Sequence, residues 1–411
     1  MTCVAIDARI PQGFAGGVAQ VVIGLAQGFS DSAPESLHRT WLVYPDYRDW
    51  LAQHLPPEDE TLVMGSFAER VGMVMAKRYP SVVSRVRPYV ERALTATSRP
   101  AGKLEGPHDG LLRERGVQVV HLPFQDGLAT SLPSIYHPHD LQHRYLPEFF
   151  TEAQIRHRET VWRRRASMAY AVSVGTNSVA DDVERLWTIP RDHIHVVPLA
   201  PVASPTPSGS TPEPFRGPPI VLYPAAFWPH KNHITLIRAI GLLRAIIPVQ
   251  LVLPGARLGI YDAVRREVVK AGLDPATTLP GYVSQEELST LYFRSTVVAV
   301  PSTFESASFP IWEAFQRGIP VVAAKTTSLP AQVGNGGLIF EPSDINALVD
   351  ALRRLLTDET LRTEMGREGR KIVSGFSWAK MALASTALYR RAAGDPGVAA
   401  EEQALMNAPR F

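Results

Sequence analysis

The sequence predicts an α/β protein made of two domains, each with a doubly wound parallel sheet that carries helices on both faces. Short apolar segments alternate with helical patterns along both halves of the chain, the order typical of parallel sheets. A Pro/Ser/Thr-rich stretch without periodicity, residues 198–219, separates the two series. We therefore expect one domain over residues 1–200, a linker over 201–218 and a second domain over 219–377.

The N-terminal half begins this alternation with a buried strand followed by an apolar helix. Strands are predicted at residues 4–6, 41–44, 117–122, 134–136, 170–174 and 193–197. Helices are predicted at residues 18–29, 66–98, 151–169 and 177–187. Residues 99–110 are predicted to form a loop.

The C-terminal half repeats the same order. Strands are predicted at residues 220–223, 249–253, 296–300 and 319–323. Helices are predicted at residues 232–247, 259–271, 285–293, 310–317, 344–356 and 378–393. We expect the last helix to pack back on the first domain. Since doubly wound folds bind ligands at the carboxyl ends of their strands, we expect a site in a central cleft that the two domains face.

Composition excludes several classes of protein. The 42 basic and 40 acidic residues give a net charge of +2, which provides no signal for nucleic acid. The single cysteine excludes a disulfide framework and a thiolate metal cage, and fits a cytoplasmic protein. The longest apolar runs fall well short of the roughly 18 residues that a membrane span needs. The N-terminus, with charges inside its apolar stretch, does not read as a secretory signal.

The strongest local feature follows the predicted strand 296–300. A loop of small residues leads into a helix that begins near Pro310, so the amides of Ala307, Ser308 and Phe309 are expected to point at an anion. Glu305 lies in this loop and Glu313 lies one turn into the helix. Two carboxylates beside a phosphate site would repel the phosphate, so we expect them to accept hydrogen bonds from hydroxyl groups. Amides for a diphosphate and carboxylates for hydroxyls together predict that this segment binds a sugar nucleotide. The alternative is an ordinary helix start with two solvated glutamates.

A second feature places Lys231 at the start of the predicted helix 232–247. The helix dipole disfavours a cation there, which makes sense if the lysine pairs with a bound phosphate. The alternative is a solvated surface lysine.

These motifs together resemble the retaining glycosyltransferases of the GT-B fold, most closely glycosyltransferase family 4. Glu305 and Glu313, separated by seven residues, resemble the E-x7-E signature of that family. The resemblance covers residues 219–390 and also includes the segments 229–232, 281–284 and 328–330. It is sparser in the N-terminal half, where it rests on Gly16-Gly17, His139-Asp140 and residues 176–198.

The resemblance implies a role for each motif residue. Lys231 would neutralise the donor diphosphate with help from His230. The family often has an arginine five positions before this lysine, where this chain has Ala226. Glu305 would reach the donor sugar and Glu313 the ribose hydroxyls. Backbone near Val283 would meet the nucleobase, and the loop at Gly16 and Gly17 would approach the donor phosphates and the acceptor. His139 and Asp140 would bind the acceptor, and His139 would lie beside the reacting sugar. Such enzymes use a nucleoside diphosphate sugar as co-substrate and usually need no catalytic metal or other cofactor.

Four further segments have a second interpretation, which is rejected for one of them. Residues 137–143 contain three histidines and an aspartate, for which a metal site is the alternative to acceptor binding and to structural histidines. Residues 13–17 lack the G-x-G-x-x-G spacing, which argues against NAD. The basic stretches 70–92 and 156–165 are read as solvated helix faces, with contact to an anionic membrane surface at the inner face or to a lipid-diphosphate acceptor as the alternative.

The sequence therefore predicts a retaining transferase that moves a hexose or deoxyhexose from a nucleoside diphosphate sugar to a hydroxyl on a glycan, a lipid-linked oligosaccharide or a natural product. Polysaccharide assembly and natural-product glycosylation both fit. A nucleotide-sugar epimerase of the same fold and a non-catalytic nucleotide-sugar-binding protein are the alternatives. Donor base, sugar, acceptor and oligomeric state are not determined by the sequence.

Overall fold

The computed structural model describes residues 1–10, 16–32, 37–65, 108–197, 199–201, 217–395 and 399–406. The predicted helix 66–98 and most of the predicted linker lie outside these residues. The described residues divide into two compact units. The first consists of those within Met1–Pro138, Arg164–Ser173 and Ala382–Met406, and the second of those within His139–Arg163 and Val174–Met381.

The first sheet has the strand order β3-β2-β1-β4-β5-β6-β7. Its strands are β1 (Thr2–Asp7), β2 (Leu37–Val43), β3 (Glu60–Val63), β4 (Val119–Leu122), β5 (Ser134–Tyr136), β6 (Ala171–Val174) and β7 (Ile194–Val196). Strand β1 pairs in parallel with both β2 and β4. Every residue of β4, β5 and β6 is buried, as expected of strands covered on both faces.

The predicted helices 18–29, 151–169 and 177–187 of this half of the chain are present, the last with its predicted bounds, and the short helices Arg48–Ala52 and Asp109–Glu114 were not predicted. The helices are α1 (Gly16–Ser32), α2 (Arg48–Ala52), α3 (Asp109–Glu114), α4 (Glu152–His157), α5 (Arg163–Met168) and α6 (Asn177–Trp187). The predicted loop at residues 99–110 is wrong at its end, because α3 begins at Asp109, whose carboxylate accepts hydrogen bonds from Thr130 and Ser131. The predicted helix 151–169 contains a π-helical turn at Arg158–Trp162.

The second sheet has the strand order β10-β9-β8-β11-β12-β13. Its strands are β8 (Ile220–Leu222), β9 (Gln250–Pro254), β10 (Thr277–Gly281), β11 (Val297–Val300), β12 (Val321–Ala324) and β13 (Gly337–Phe340). Strand β8 pairs in parallel with β9 on one side and β11 on the other. The strand order therefore reverses between β8 and β11, the position where such sheets bind ligands at the carboxyl ends of their strands.

Most helices of the C-terminal half pack against this sheet, whereas the last two lie in the first unit for most of their length. The helices are α7 (His233–Arg244), α8 (Tyr261–Lys270), α9 (Gln285–Arg294), α10 (Phe309–Gln316), α11 (Leu329–Val333), α12 (Ile345–Thr357), α13 (Glu359–Val373), α14 (Trp378–Ala392) and α15 (Ala399–Met406). In the first unit, the hydroxyl of Tyr389 on α14 lies 2.6 Å from Nδ1 of His121 on β4. The sequence did not predict the helices α11, α13 and α15, nor the strands β3, β10 and β13.

The three unpredicted strands lie at edges of the two sheets. Such strands are covered less completely, and β3, β10 and β13 accordingly carry half-buried or exposed residues. A continuous apolar run is absent from β3 and β10, and in β13 it is only Leu338-Ile339-Phe340, shorter than the run of about four to eight residues that indicates a buried strand.

Candidate functional site

The loops after β8 and β11 meet through an ion pair. Lys231 ends a 3-10 turn, Pro229–Lys231, and its Nζ atom lies 2.6 Å from Oε1 of Glu305 in the loop after β11. Both side chains are largely buried, with 22% of Lys231 and 9% of Glu305 exposed. The structure thus brings together two predicted site residues that lie 74 positions apart in the chain.

Two buried hydroxyl groups support this pair. Ser302 donates a hydrogen bond of 2.7 Å to Oε1 of Glu305, and the hydroxyl of Tyr223 lies 2.8 Å from Oγ of Ser302. Burial raises the pKa of Tyr223 well above its ordinary value, so its hydroxyl stays protonated and can donate. Oε1 of Glu305 therefore has two donors, whereas Oε2 has no hydrogen-bond partner among the described residues.

The backbone of the two loops is also joined. The Thr303 amide donates to the carbonyl of His230 at 2.8 Å, and the Asn232 side-chain amide donates to the carbonyl of Pro301 at 3.1 Å. Asn232 has φ of +55°, a left-handed conformation that asparagine tolerates better than most residues. The Lys231–Glu305 distance therefore rests on a network and not on one contact.

A short turn before α11 holds the Glu305 loop from its other side. The Glu305 amide donates to the hydroxyl of Thr327 at 3.0 Å, and the Ser328 hydroxyl donates to the carbonyl of Glu305 at 3.0 Å. Neither residue was singled out as a site residue, although Ser328 belongs to a segment that carried the resemblance. The sequence does not show which distant loop the hydroxyl of a serine or threonine in a turn will bind.

The amides before α10 differ in part from the expectation. The Ser308 amide donates to Oε1 of Gln332 at 2.9 Å, and Nε2 of Gln332 donates back to the Ser308 carbonyl at 2.8 Å. This amide is therefore already engaged within the protein. No described residue accepts a hydrogen bond from the amides of Ala307 and Phe309, so these two are available to an anion.

Glu313 lies on α10 against the neighbouring helix α9. Its Oε2 atom accepts a hydrogen bond of 2.6 Å from the hydroxyl of Tyr292, which is buried. Burial raises the pKa of Glu313, whereas Tyr292 and the charge of Arg317 act in the opposite direction. The backbone near Val283 is expected to contact the nucleobase of the donor. Val283 precedes Ser284, whose side chain caps α9.

His230 differs from the expectation that it assists Lys231 with phosphate charge. Burial and the neighbouring Lys231 lower the pKa of His230 to about 3, and the charge of Asp140 offsets this only in part. The ring is therefore neutral near pH 7, and Lys231 supplies the positive charge without it.

The predicted acceptor residues lie at a bend of the backbone. His139 has φ of +61°, and Asp140 accepts a hydrogen bond of 3.0 Å from the Gln142 amide. Asp140 also acts electrostatically on His230, which places segment 139–140 near the loop that carries Lys231. His143 is buried against Glu159, 2.6 Å from its carboxylate. The described residues contain no group of three or more histidine, cysteine, aspartate or glutamate residues placed to hold a metal ion.

Gly16 and Gly17 open helix α1 in the first unit. The Lys231 loop lies in the second unit, and the contact of Gly16 and Gly17 with a donor stays a prediction. Among the described helices, none is long and apolar enough to cross a membrane. The basic stretch 70–92 lies outside the described residues.

Comparison with known proteins bears on these loops. Residues 211–372 match the family model for glycosyl transferases group 1. The chain is 28% identical over 254 residues to the O-antigen chain mannosyltransferase B of Escherichia coli, covering 58% of this chain and 65% of that protein. It is 30% identical over 177 residues to an MMP alpha-(1->4)-mannosyltransferase of Mycolicibacterium hassiacum, covering 42% and 43%. These matches span less than two thirds of each relative.

Solved structures match over nearly the full length. A glycosyltransferase from Rickettsia africae has 15% identity and a TM-score of 0.67, covering 95% of this chain and 98% of its own. Anabaena Alr3699/HepE, solved with UDP and glucose, has 17% identity and a TM-score of 0.65, covering 95% and 100%. The chain thus has two parallel-sheet Rossmann-like domains, as predicted for the GT-B fold, and its residues 211–372 match the glycosyl transferases group 1 family.

Proposed function

We propose that this chain is a retaining glycosyltransferase that moves a sugar from a nucleoside diphosphate sugar to a hydroxyl acceptor. The observation that supports this most is the Lys231–Glu305 pair at the reversal point of the second sheet, beside the two available amides. This combination offers positive charge for a diphosphate and a carboxylate oxygen for sugar hydroxyls at one place.

Lys231 has the geometry to serve both partners. An ammonium group has three N–H donors, of which one meets Glu305. The other two are left for diphosphate oxygens, where positive charge is most useful as the phosphate leaves. The amides of Ala307 and Phe309 would bind the same group at the start of α10.

Glu305 is oriented toward the sugar by its own anchoring. Because Lys231 and Ser302 hold Oε1, Oε2 is the atom left to accept a hydrogen bond from a sugar hydroxyl. Ser302 and Lys231 also offset the repulsion that a free carboxylate would exert on a diphosphate.

The reaction that fits this arrangement breaks the bond between the anomeric carbon and the diphosphate oxygen. The acceptor oxygen bonds to the anomeric carbon on the same face, and its proton passes to the departing phosphate oxygen. Lys231 and the amides stabilise the charge that develops on that oxygen, and His139 would lie beside the reacting sugar. We propose that this charge stabilisation needs no bound metal.

The test is incubation of the purified chain with a panel of labelled nucleoside diphosphate sugars and candidate acceptors, with and without a chelator. Formation of a product that keeps the anomeric configuration of the donor supports the proposal. Inversion of that configuration contradicts the retaining mechanism. Release of an epimerised sugar nucleotide, or binding without turnover, assigns the chain to one of the other two classes.

A further inference from the structure

Helices α9 and α10 meet through a buried polar cluster around Glu313. The Tyr292 hydroxyl donates to Oε2 of Glu313 at 2.6 Å. The guanidinium of Arg317 lies over the Tyr292 ring at 4.8 Å from its centroid, and its Nη2 atom donates to the Ser289 hydroxyl at 3.2 Å. The cluster therefore links the helix that follows the Val283 loop to the helix that carries the second glutamate.

The hydrogen bond from Tyr292 fixes one carboxylate oxygen of the flexible Glu313 side chain. Glutamate has three rotatable side-chain bonds, and a hydrogen bond to a rigid partner selects one arrangement of them. Oε2 is held by Tyr292, whereas Oε1 has no hydrogen-bond partner among the described residues. Glu313 is half-buried, and its Oε1 atom is not among the fully buried side-chain atoms of the described residues that lack a hydrogen-bond partner. This second oxygen is therefore open to a ligand.

Tyr292 is itself held rigidly. Its side chain is 1% exposed, and the Arg317 guanidinium covers one face of the ring. Burial raises the pKa of Tyr292 well above its ordinary value, with the Glu313 charge acting in the same direction. The hydroxyl is therefore a permanent donor at neutral pH.

We propose that Tyr292 is a positioning residue that aims Oε1 of Glu313 at the ribose hydroxyls of the nucleotide, and that it thereby gives the site its selectivity for ribonucleotides. The proposal rests on the proposed function, because it takes a nucleoside diphosphate as the ligand. A site built to accept a hydrogen bond from a hydroxyl discriminates strongly against an analogue that lacks it. Tyr292 would touch Glu313 and not the nucleotide.

The experiment compares Tyr292→Phe with wild type by calorimetric titration. The probes are UDP and GDP, with the 2′,3′-dideoxy counterpart of whichever binds more tightly. We expect Tyr292→Phe to lose roughly tenfold in affinity for the ribonucleotide, about one hydrogen bond to a charged group, and to keep its affinity for the dideoxy form. Tyr389→Phe removes another buried hydroxyl, in the first unit, and should change neither affinity.

A double-mutant cycle separates positioning from general loosening. If Tyr292 acts through Glu313, Tyr292→Phe adds no further loss in a Glu313→Gln background. Glu313→Asp, which keeps the charge and shortens the reach, should lose the same selectivity if Tyr292→Phe does not fold.

Equal loss of affinity for the ribonucleotide and the dideoxy form, or additive effects in the cycle, overturns the positioning role and leaves the proposed function standing. Full selectivity in Glu313→Asp overturns it as well. Failure of wild type to bind any nucleoside diphosphate contradicts the proposed function itself, and the inference with it.

Discussion

Gln332 and Ser308 hold each other through two opposed hydrogen bonds, 2.9 Å from the Ser308 amide and 2.8 Å to its carbonyl. Both residues are buried. The amide side chain of Gln332 thus satisfies both backbone groups of Ser308, in the loop that leads from Glu305 to α10. A side chain that donates and accepts at once is needed, which glutamine provides and leucine does not.

Gln332→Leu should destabilise the protein. The substitution leaves the buried Ser308 N–H without a partner, whereas the Ser308 carbonyl still accepts from the Ile311 amide at 3.2 Å. One unsatisfied buried donor costs about 1–3 kcal/mol in the free energy of unfolding. Urea denaturation measures this change. Gln316→Leu, on the exposed side of α10, is the matched control and should change stability by less than about 0.5 kcal/mol. A similarly small effect at both positions contradicts the role given to Gln332.

Lys231→Ala should abolish most sugar transfer. The loss of a charge-assisted contact that is strongest in the transition state should reduce turnover by roughly 30- to 1000-fold. Lys325→Ala is the control, because Lys325 pairs with Glu341 at an exposed position. Turnover assays should be accompanied by thermal unfolding, since removal of Lys231 leaves Glu305 without its cation. Near-normal turnover in a folded Lys231 variant rules out the assignment.

His139→Ala should lower the maximal rate more than the affinity for the donor. The residue belongs to the segment that approaches the Lys231 loop, and we expect it beside the reacting sugar and not at the nucleotide. Initial-rate kinetics and titration with the nucleoside diphosphate measure the two effects separately. A variant that binds the nucleotide weakly and keeps its maximal rate would place His139 at the nucleotide instead.

The two glutamates should divide the donor between them. Glu313→Gln should weaken binding of the free nucleoside diphosphate by roughly 10- to 150-fold, the range for one hydrogen bond to a charged group. Glu305→Gln should chiefly impair reaction of the intact donor, because Oε2 of Glu305 faces the sugar under this proposal. Titration with the nucleoside diphosphate, beside kinetics with the full donor, measures both. Equal losses of nucleoside diphosphate affinity in the two variants would show that this division is wrong.

Nucleotide affinity should depend on pH through Glu313. Burial raises the pKa of this carboxyl above its ordinary 4.5, although Tyr292 and Arg317 act against the rise. The ionised form is the better acceptor, so the contribution of Glu313 is complete well above that pKa and disappears as pH falls through it.

The measurement is the ratio of the affinities of wild type and Glu313→Gln for the nucleoside diphosphate, between about pH 5 and pH 8. Taking the ratio removes titration of the phosphate, which both proteins share. The ratio should fall as the pH is lowered. The fall should occur at a higher pH than for an exposed glutamate, because burial raises the pKa of Glu313. A ratio that stays constant over this range means that the ionised form of Glu313 is not needed.

The sequence by itself determined the fold class and the interior strands. Segments such as β11 and β12 are continuous apolar runs because helices cover both faces of the sheet, and this leaves a direct signal in composition. Lys231 and Glu305 were also named as candidates from the sequence, because a strand end followed by a loop and a helix start is a local pattern. The edge strands β3 and β10 and the helix α3 were missed for the opposite reason, because partial exposure interrupts the apolar pattern. The apolar run of the edge strand β13 is only three residues long.

Only the tertiary structure decided which polar atoms already have hydrogen-bond partners within the protein. Tyr292 lies 21 residues from Glu313, and Gln332 lies 24 residues from Ser308, so neither pairing has a fixed spacing that a sequence pattern could report. The neutral state of His230 likewise results from burial, which depends on the packing of surrounding loops. Local chemistry placed the candidate residues at strand ends, and packing across the second sheet determined which of their atoms remain for a ligand.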